Sequence, residues 1–325
     1  MAGSHANMLL MLGALAVPMA AATAQNWPLA KPIRIEVISA AGGLTDIVPR
    51  MLADPLAKSI GQPIVVEDRP GAGGNIAAGV VAKADPDGHT LLMTGSNQAV
   101  NPTLLPNPGF DYDHDLAPLA MAVDAKMLLV AAPSFPANNI SDVIRLARAR
   151  PRSISIAISP IGTPNHLGAE MLAQYGNIDL TFVPYGGIAQ ATPDVIGGRV
   201  DLAIGAVPSL LPQVKSGALK ALAITSNEHS LLAPGIPTSA EAGLPDLVID
   251  AWICFMVTGG TPDSIINRLD QHIANALGRA DVMEQFAKQG VEVRHMGPAQ
   301  LGAFIQSEAS RFSTLLEHSR VAASR

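Results

Sequence analysis

The sequence contains a single cysteine, Cys254, so no intramolecular disulfide can form in any compartment. It sits in the apolar stretch AWICFMV and reads as an inert core residue. Aromatic residues are scarce, at 4%, and 21 Lys and Arg face 27 Asp and Glu. With no basic stripe and few rings to stack on bases, a nucleic-acid partner is not expected. Charged residues make up only 15% against 48% hydrophobic, which excludes wholesale disorder. Catalytic signatures are missing as well. The chain holds no G-x-x-x-x-G-K-[ST], G-x-S-x-G, H-E-x-x-H or C-x-x-C, and its eight histidines show no metal-ligand spacing. GAGGNIAAG, Gly71–Gly79, comes nearest to a dinucleotide fingerprint. It follows EDRP rather than a strand and has Ile76 where the third glycine belongs, so it reads as a tight turn starting a helix.

Residues 1–24 carry no Lys, Arg, Asp or Glu, and MLLMLGALAVPM forms an apolar run ending shortly before the small residues Ala22–Ala24. This pattern fits a secretory signal peptide cleaved after Ala24, with an uncleaved membrane anchor as the alternative. No later segment is apolar enough over enough residues to span a bilayer.

From Ile33 onward, strand-like and helix-like segments alternate in the rhythm of an α/β fold with parallel sheets. The stretch NPTLLPNPGFDYDHDLAP is expected to be irregular, and the C-terminal quarter to be helical cover. Two apolar hinge candidates, Lys126–Ala132 and Val248–Met256, divide the chain into a discontinuous lobe, residues 27–127 plus 248–325, and an inserted lobe, 128–247.

Two loops carry the chemistry. In SAAGGLTD the glycines Gly42 and Gly43 let the backbone approach a ligand, and the following helix N-terminus offers N–H donors with a partial positive charge. Thr45 can add a hydroxyl, while Asp46 is expected to cap the helix rather than bind. SPIGTPNHL repeats the logic: Gly162 frees the turn, Thr163 suits the N-cap and Pro164 the first helical position. Thr163 and the amides of Asn165 and His166 would face the cleft. His166 either donates to an anion or braces its loop. Tyr185 stands at a strand's carboxyl end, where it either walls a pocket or fills the core.

The segments WPLAKPIRI, AGGLTD, IGQPIVVEDRPGAGGNIAAGVVAKADPDGHTLL, IGTPNHL, FVPYGG, SGALKALAIT, PTSAEAG and GGTPDSIINRL follow one another in an order that resembles the Bug (TctC-like) receptors of tripartite tricarboxylate transporters, across essentially the whole mature chain. The resemblance implies a two-lobed, Venus-flytrap α/β protein, each lobe a mostly parallel sheet flanked by helices. It implies a periplasmic, monomeric receptor with no catalytic activity, no cofactor and no metal. Its partners would be a small carboxylate and either the transporter's membrane permease or, alternatively, a sensor protein; an α/β enzyme acting on a small acid is the remaining reading. The grip would comprise Ala41, Gly42, Gly43, Leu44, Thr45 and Asp46 from one lobe and Ile161, Gly162, Thr163, Asn165 and His166 from the other. Ser96, Asn97 and Tyr185 would support it. The chain departs from the family where Ala40 and Ala41 replace a usual Pro-Pro and Gly186 replaces a common Lys, so ligand identity does not carry over.

Overall fold

In the computed structural model, which describes residues 27–28, 31–105, 107–317 and 319, the apolar run after Pro32 becomes β1 (Ile33–Val37) at the centre of a parallel triplet. A helix, α1 (Leu44–Ile60), connects it to β2 (Ile64–Asp68), and α2 (Asn75–Ala82) connects β2 to β3 (Thr90–Gly95). β1 pairs in parallel with β2 on one side and β3 on the other. Val48, Leu52, Leu56 and Ile60 form the buried stripe of α1, at four-residue spacing, and Gly61 closes the helix in a left-handed cap.

The other lobe repeats this unit. β5 (Ser155–Ile158), α5 (Pro164–Tyr175), β6 (Thr181–Pro184), α6 (Ile188–Ile196) and β7 (Leu202–Ala206) again place the first strand between the second and third, all parallel. Around the triplets lie α3 (Asn97–Leu104), α4 (Ile140–Ala149), α7 (Val207–Lys215), β8 (Lys220–Ile224), α8 (Asp263–Leu277), α9 (Ala280–Lys288), β10 (Glu292–Met296) and α10 (Pro298–Glu317).

Two long strands join the lobes. β4 (Leu116–Ala131) pairs with β9 (Asp250–Thr258) as far as Lys126, then from Met127 onward with β7 and β8. Among the described residues, parallel strand pairing occurs in the two triplets, with one isolated parallel bridge between Ile224 and Thr238, and β4 and β9 pair antiparallel throughout. Cys254 lies fully buried in β9, where burial pushes its thiol up.

Two expectations need correction. The stretch beginning NPTLL is irregular only in part: it starts within α3, which buries Ala99 and Val100 despite Pro102. The C-terminal quarter is not helical throughout, because Glu292–Met296 forms β10 along β4. The proposed signal segment, 1–24, lies outside the described residues.

Candidate functional site: paired strand–helix junctions

In each triplet the chain leaves the central strand toward one side and the third strand lies on the other. The carboxyl ends of β1 and β3, and likewise of β5 and β7, are therefore topological switch points, where open α/β sheets leave a crevice for ligands. The loops singled out in the sequence follow β1 and β5. Ser96 and Asn97 follow β3.

At the β1–α1 junction Gly42 has φ +90°, a conformation open to glycine. Its N–H donates to Asp46 Oδ2 at 2.8 Å. Asp46 is only 3% exposed and also accepts from Arg50 Nε, while Arg50 Nη2 reaches Asp68 at 2.8 Å. Burial pushes the Asp46 carboxyl up, but the Gly42 N–H and the Arg50 guanidinium outweigh it and hold the group below its ordinary value. Thr45 donates its hydroxyl to Ser39 Oγ at 2.6 Å. The helix has no side-chain cap, and among the described residues the N–H groups of Leu44 and Thr45 have no hydrogen-bond partner. Ala41 and Gly42 are exposed at the tip.

The β5–α5 junction is built alike. Gly162 has φ +86° and its N–H donates to His166 Nδ1 at 3.4 Å. Thr163 is the N-cap: its Oγ1 accepts from the His166 N–H at 3.5 Å and donates to Pro160 O at 2.7 Å. Pro164 has no N–H to give. The side chain of Asn165 donates to Ile204 O at 2.6 Å, tying the junction to β7, and among the described residues its main-chain N–H has no partner. His166 is 1% exposed, so its ring lies inside the loop; Nε2 stands 3.6 Å from Glu170 Oε1. Since Nδ1 accepts, we assign the ring proton to Nε2. Ile161, in contrast, is 57% exposed at the loop tip.

The two lobes meet at these elements. A Cβ on Gly162 would lie 2.9 Å from Leu104 Cδ1 and 3.4 Å from Val100 Cγ1, both on α3 of the other lobe. α3 is itself pinned by Asn97 Nδ2 and Asn101 Nδ2, each donating to Gly73 O at 2.9 Å. Ser96 is buried at its start. Tyr185 is tied elsewhere: its hydroxyl donates to Asp194 Oδ2 at 2.7 Å on α6, and Asp194 raises the phenol above its ordinary value. Sequence reasoning passed over the β7–α7 junction at Ala206–Val207, the counterpart of Ser96–Asn97, because a Pro-containing apolar turn carries no anion-binding signal.

The segments 39–46, 96–97 and 159–166 contain no Lys or Arg. Arg50, just beyond, is occupied by two carboxylates. What the junctions offer is main-chain N–H donors at two helix N-termini, suited to a small anion. Among the described residues no cluster of His, Cys, Asp or Glu is placed to hold a metal.

Comparison with known proteins places the chain in a family. The profile described as "Tripartite tricarboxylate transporter family receptor" matches residues 48–321. Protein BugT of Bordetella pertussis is 35% identical over 315 residues, covering 94% of this chain and 96% of that protein. Among solved structures, R. palustris Rpa4515 with adipate has a TM-score of 0.77 at 29% identity, covering 90% of this chain and 97% of that one. MatC from Rhodopseudomonas palustris with bound malate has a TM-score of 0.75 at 30% identity, covering 90% of this chain and 100% of that one. This chain belongs to the receptor family of the tripartite tricarboxylate transporters, a family of two-lobed solute-binding proteins.

Proposed function

We propose that this protein is an extracytoplasmic receptor that closes around one small organic carboxylate and delivers it to a membrane permease of the tripartite type. The lobes would be residues 27–127 plus 248–325 and residues 128–247, moving about the stretch where β4 changes partners. The main-chain N–H groups of Leu44 and Thr45 and of Asn165 would hold the carboxylate, one junction from each lobe. Leu104, beside Gly162, would supply an apolar wall for the carbon skeleton.

The observation that carries this reading is the repetition of one construction at the switch point of both lobes: glycine turn, helix N-terminus and unpartnered N–H donors without a cation. Relatives seen with adipate and with malate support it. Periplasmic residence and a cleaved leader, 1–24, belong to the same proposal. Among the described residues no helix is long and apolar enough to cross a membrane.

Thermal denaturation against malate, adipate, succinate, citrate, benzoate, glucose and calcium tests it. At least one acid should raise the midpoint; ligand at 100 times its Kd adds about 2.7 kcal/mol. Stabilisation by glucose or calcium with none by any acid would overturn the proposal.

A further inference from the structure

Three strand–helix junctions share a bond from a glycine N–H to the third helical side chain; α4 makes the same bond from a non-glycine residue, with the Asn138 N–H donating to Asp142 Oδ2 at 3.2 Å. At β1–α1 the N–H of Gly42 donates to Asp46 Oδ2 at 2.8 Å; at β5–α5 that of Gly162 donates to His166 Nδ1 at 3.4 Å; at β6–α6 that of Gly186 donates to Gln190 Oε1 at 3.1 Å. The helices begin at Leu44, Pro164 and Ile188, so the acceptor is each time the third helical residue and the donor the residue before the N-cap. A capping box closes from the same third residue onto the N-cap N–H itself. Here the ring is one residue larger, and it is closed by a carboxylate, an imidazole and an amide in turn. What the three side chains share is an acceptor at one place, not a charge.

We propose that Asp46 and His166 are positioning residues for the anion grip, each fixing its loop by binding the glycine N–H so that the next free amides aim at the carboxylate. This rests on the functional reading above. A helix start presents several unpaired N–H groups, and a loop hinged on a glycine at φ +90° or +86° can spread them over many directions. The brace removes that freedom before any ligand arrives, which lowers the ordering cost of binding. Neither Asp46 nor His166 reaches solvent, so neither is placed to touch the ligand. The charge of each brace is matched to an anion site as well. The Asp46 carboxylate, which would repel an anion, is paired with Arg50, and the imidazole accepts in its neutral form, with Nε2 turned to Glu170.

The test uses the geometry of histidine isosteres in the full-length protein. Asparagine carries its amide oxygen where Nδ1 stands; glutamine carries it where Nε2 stands. Amide hydrogen exchange of Gly162, followed by NMR without ligand, should accelerate about tenfold or more in His166→Leu and His166→Gln and return to about the wild-type rate in His166→Asn. Calorimetry with malate should follow the same order, with affinity weakened about tenfold in His166→Gln and about threefold at most in His166→Asn. The Asn–Gln comparison stands even where His166→Leu does not fold. Rescue by Gln and not by Asn, or Gly162 exchange unchanged in every variant, would overturn the proposal. Because exchange is read without ligand, a failed brace and a failed functional reading give different results.

Discussion

Gly42 and Gly162 share a backbone conformation but not a neighbourhood. A Cβ at Gly42 would meet nothing within 4 Å, whereas one at Gly162 would press on Leu104 of the other lobe. Gly42→Ala should therefore cost about 1–2 kcal/mol, the strain of a left-handed residue alone. Gly162→Ala should cost more and couple to Leu104→Ala by about 0.5 kcal/mol or more in a urea-denaturation double-mutant cycle. Strict additivity would mean that the lobes do not touch there. At this scale the sequence was informative where residue type and conformation coincide. Paired glycines marked the first loop and Gly-Thr-Pro the second; the acidic first turn suggested that Asp46 caps the helix, whereas the helix has no side-chain cap and the carboxylate accepts from the Gly42 N–H instead. His166 was legible as a candidate but not in its role, since only burial and the bond from Gly162 distinguish a brace from a ligand contact. Gln190 gave no signal beyond its spacing from Gly186. Tyr185, at a strand end, read equally as pocket wall or core, and nothing in the sequence signalled that its hydroxyl donates to Asp194.

Among the elements, α1 shows how burial overrides local propensity. Pro49 and Pro55 each remove a helical hydrogen bond, yet the helix runs unbroken from Leu44 to Ile60 because its buried stripe holds it on the β1–β3 triplet. Leu52, fully buried at the middle of that stripe, should cost about 2–5 kcal/mol on truncation in Leu52→Ala, read by chemical denaturation. A loss below about 0.5 kcal/mol would show that the stripe does not anchor the helix. α3 was hidden for the converse reason: Pro102 and its Asn-rich start resemble a loop, and only packing reveals Ala99 and Val100 as a buried face. β10 was hidden because EVRHM lacks apolar alternation; it is held by β4 and by Arg294 reaching Asp124 at 3.1 Å.

For the molecule as a whole, the alternation of strands and helices made the α/β class legible, while the repetition of one β-α-β-α-β unit in both lobes emerges from strand order. The strands that join the lobes carry a buried ion pair, Lys126 Nζ to Asp250 at 2.9 Å, with Glu228 at 3.4 Å and Asp124 and Arg294 nearby. Burial pushes the Asp250 carboxyl up to about 6, against the pull of Lys126. The folded protein therefore takes up this proton at higher pH than the unfolded chain. Between roughly pH 4 and pH 6 the native state binds more protons, so this group's contribution to stability falls as pH rises and is fully lost above pH 6. The unfolding free energy of wild type minus that of Asp250→Asn should decline across this window by at most about 3 kcal/mol. A difference independent of pH would contradict the assignment.

The central claim is that main-chain amides of two equivalent junctions hold the carboxylate. It is tested most directly by titrating the isotopically labelled protein with the acid that stabilises it most and following assigned amide resonances. The account predicts downfield proton shifts at Leu44, Thr45 and Asn165 that saturate together at one ligand concentration. Saturable binding that leaves these three amides unmoved would contradict it.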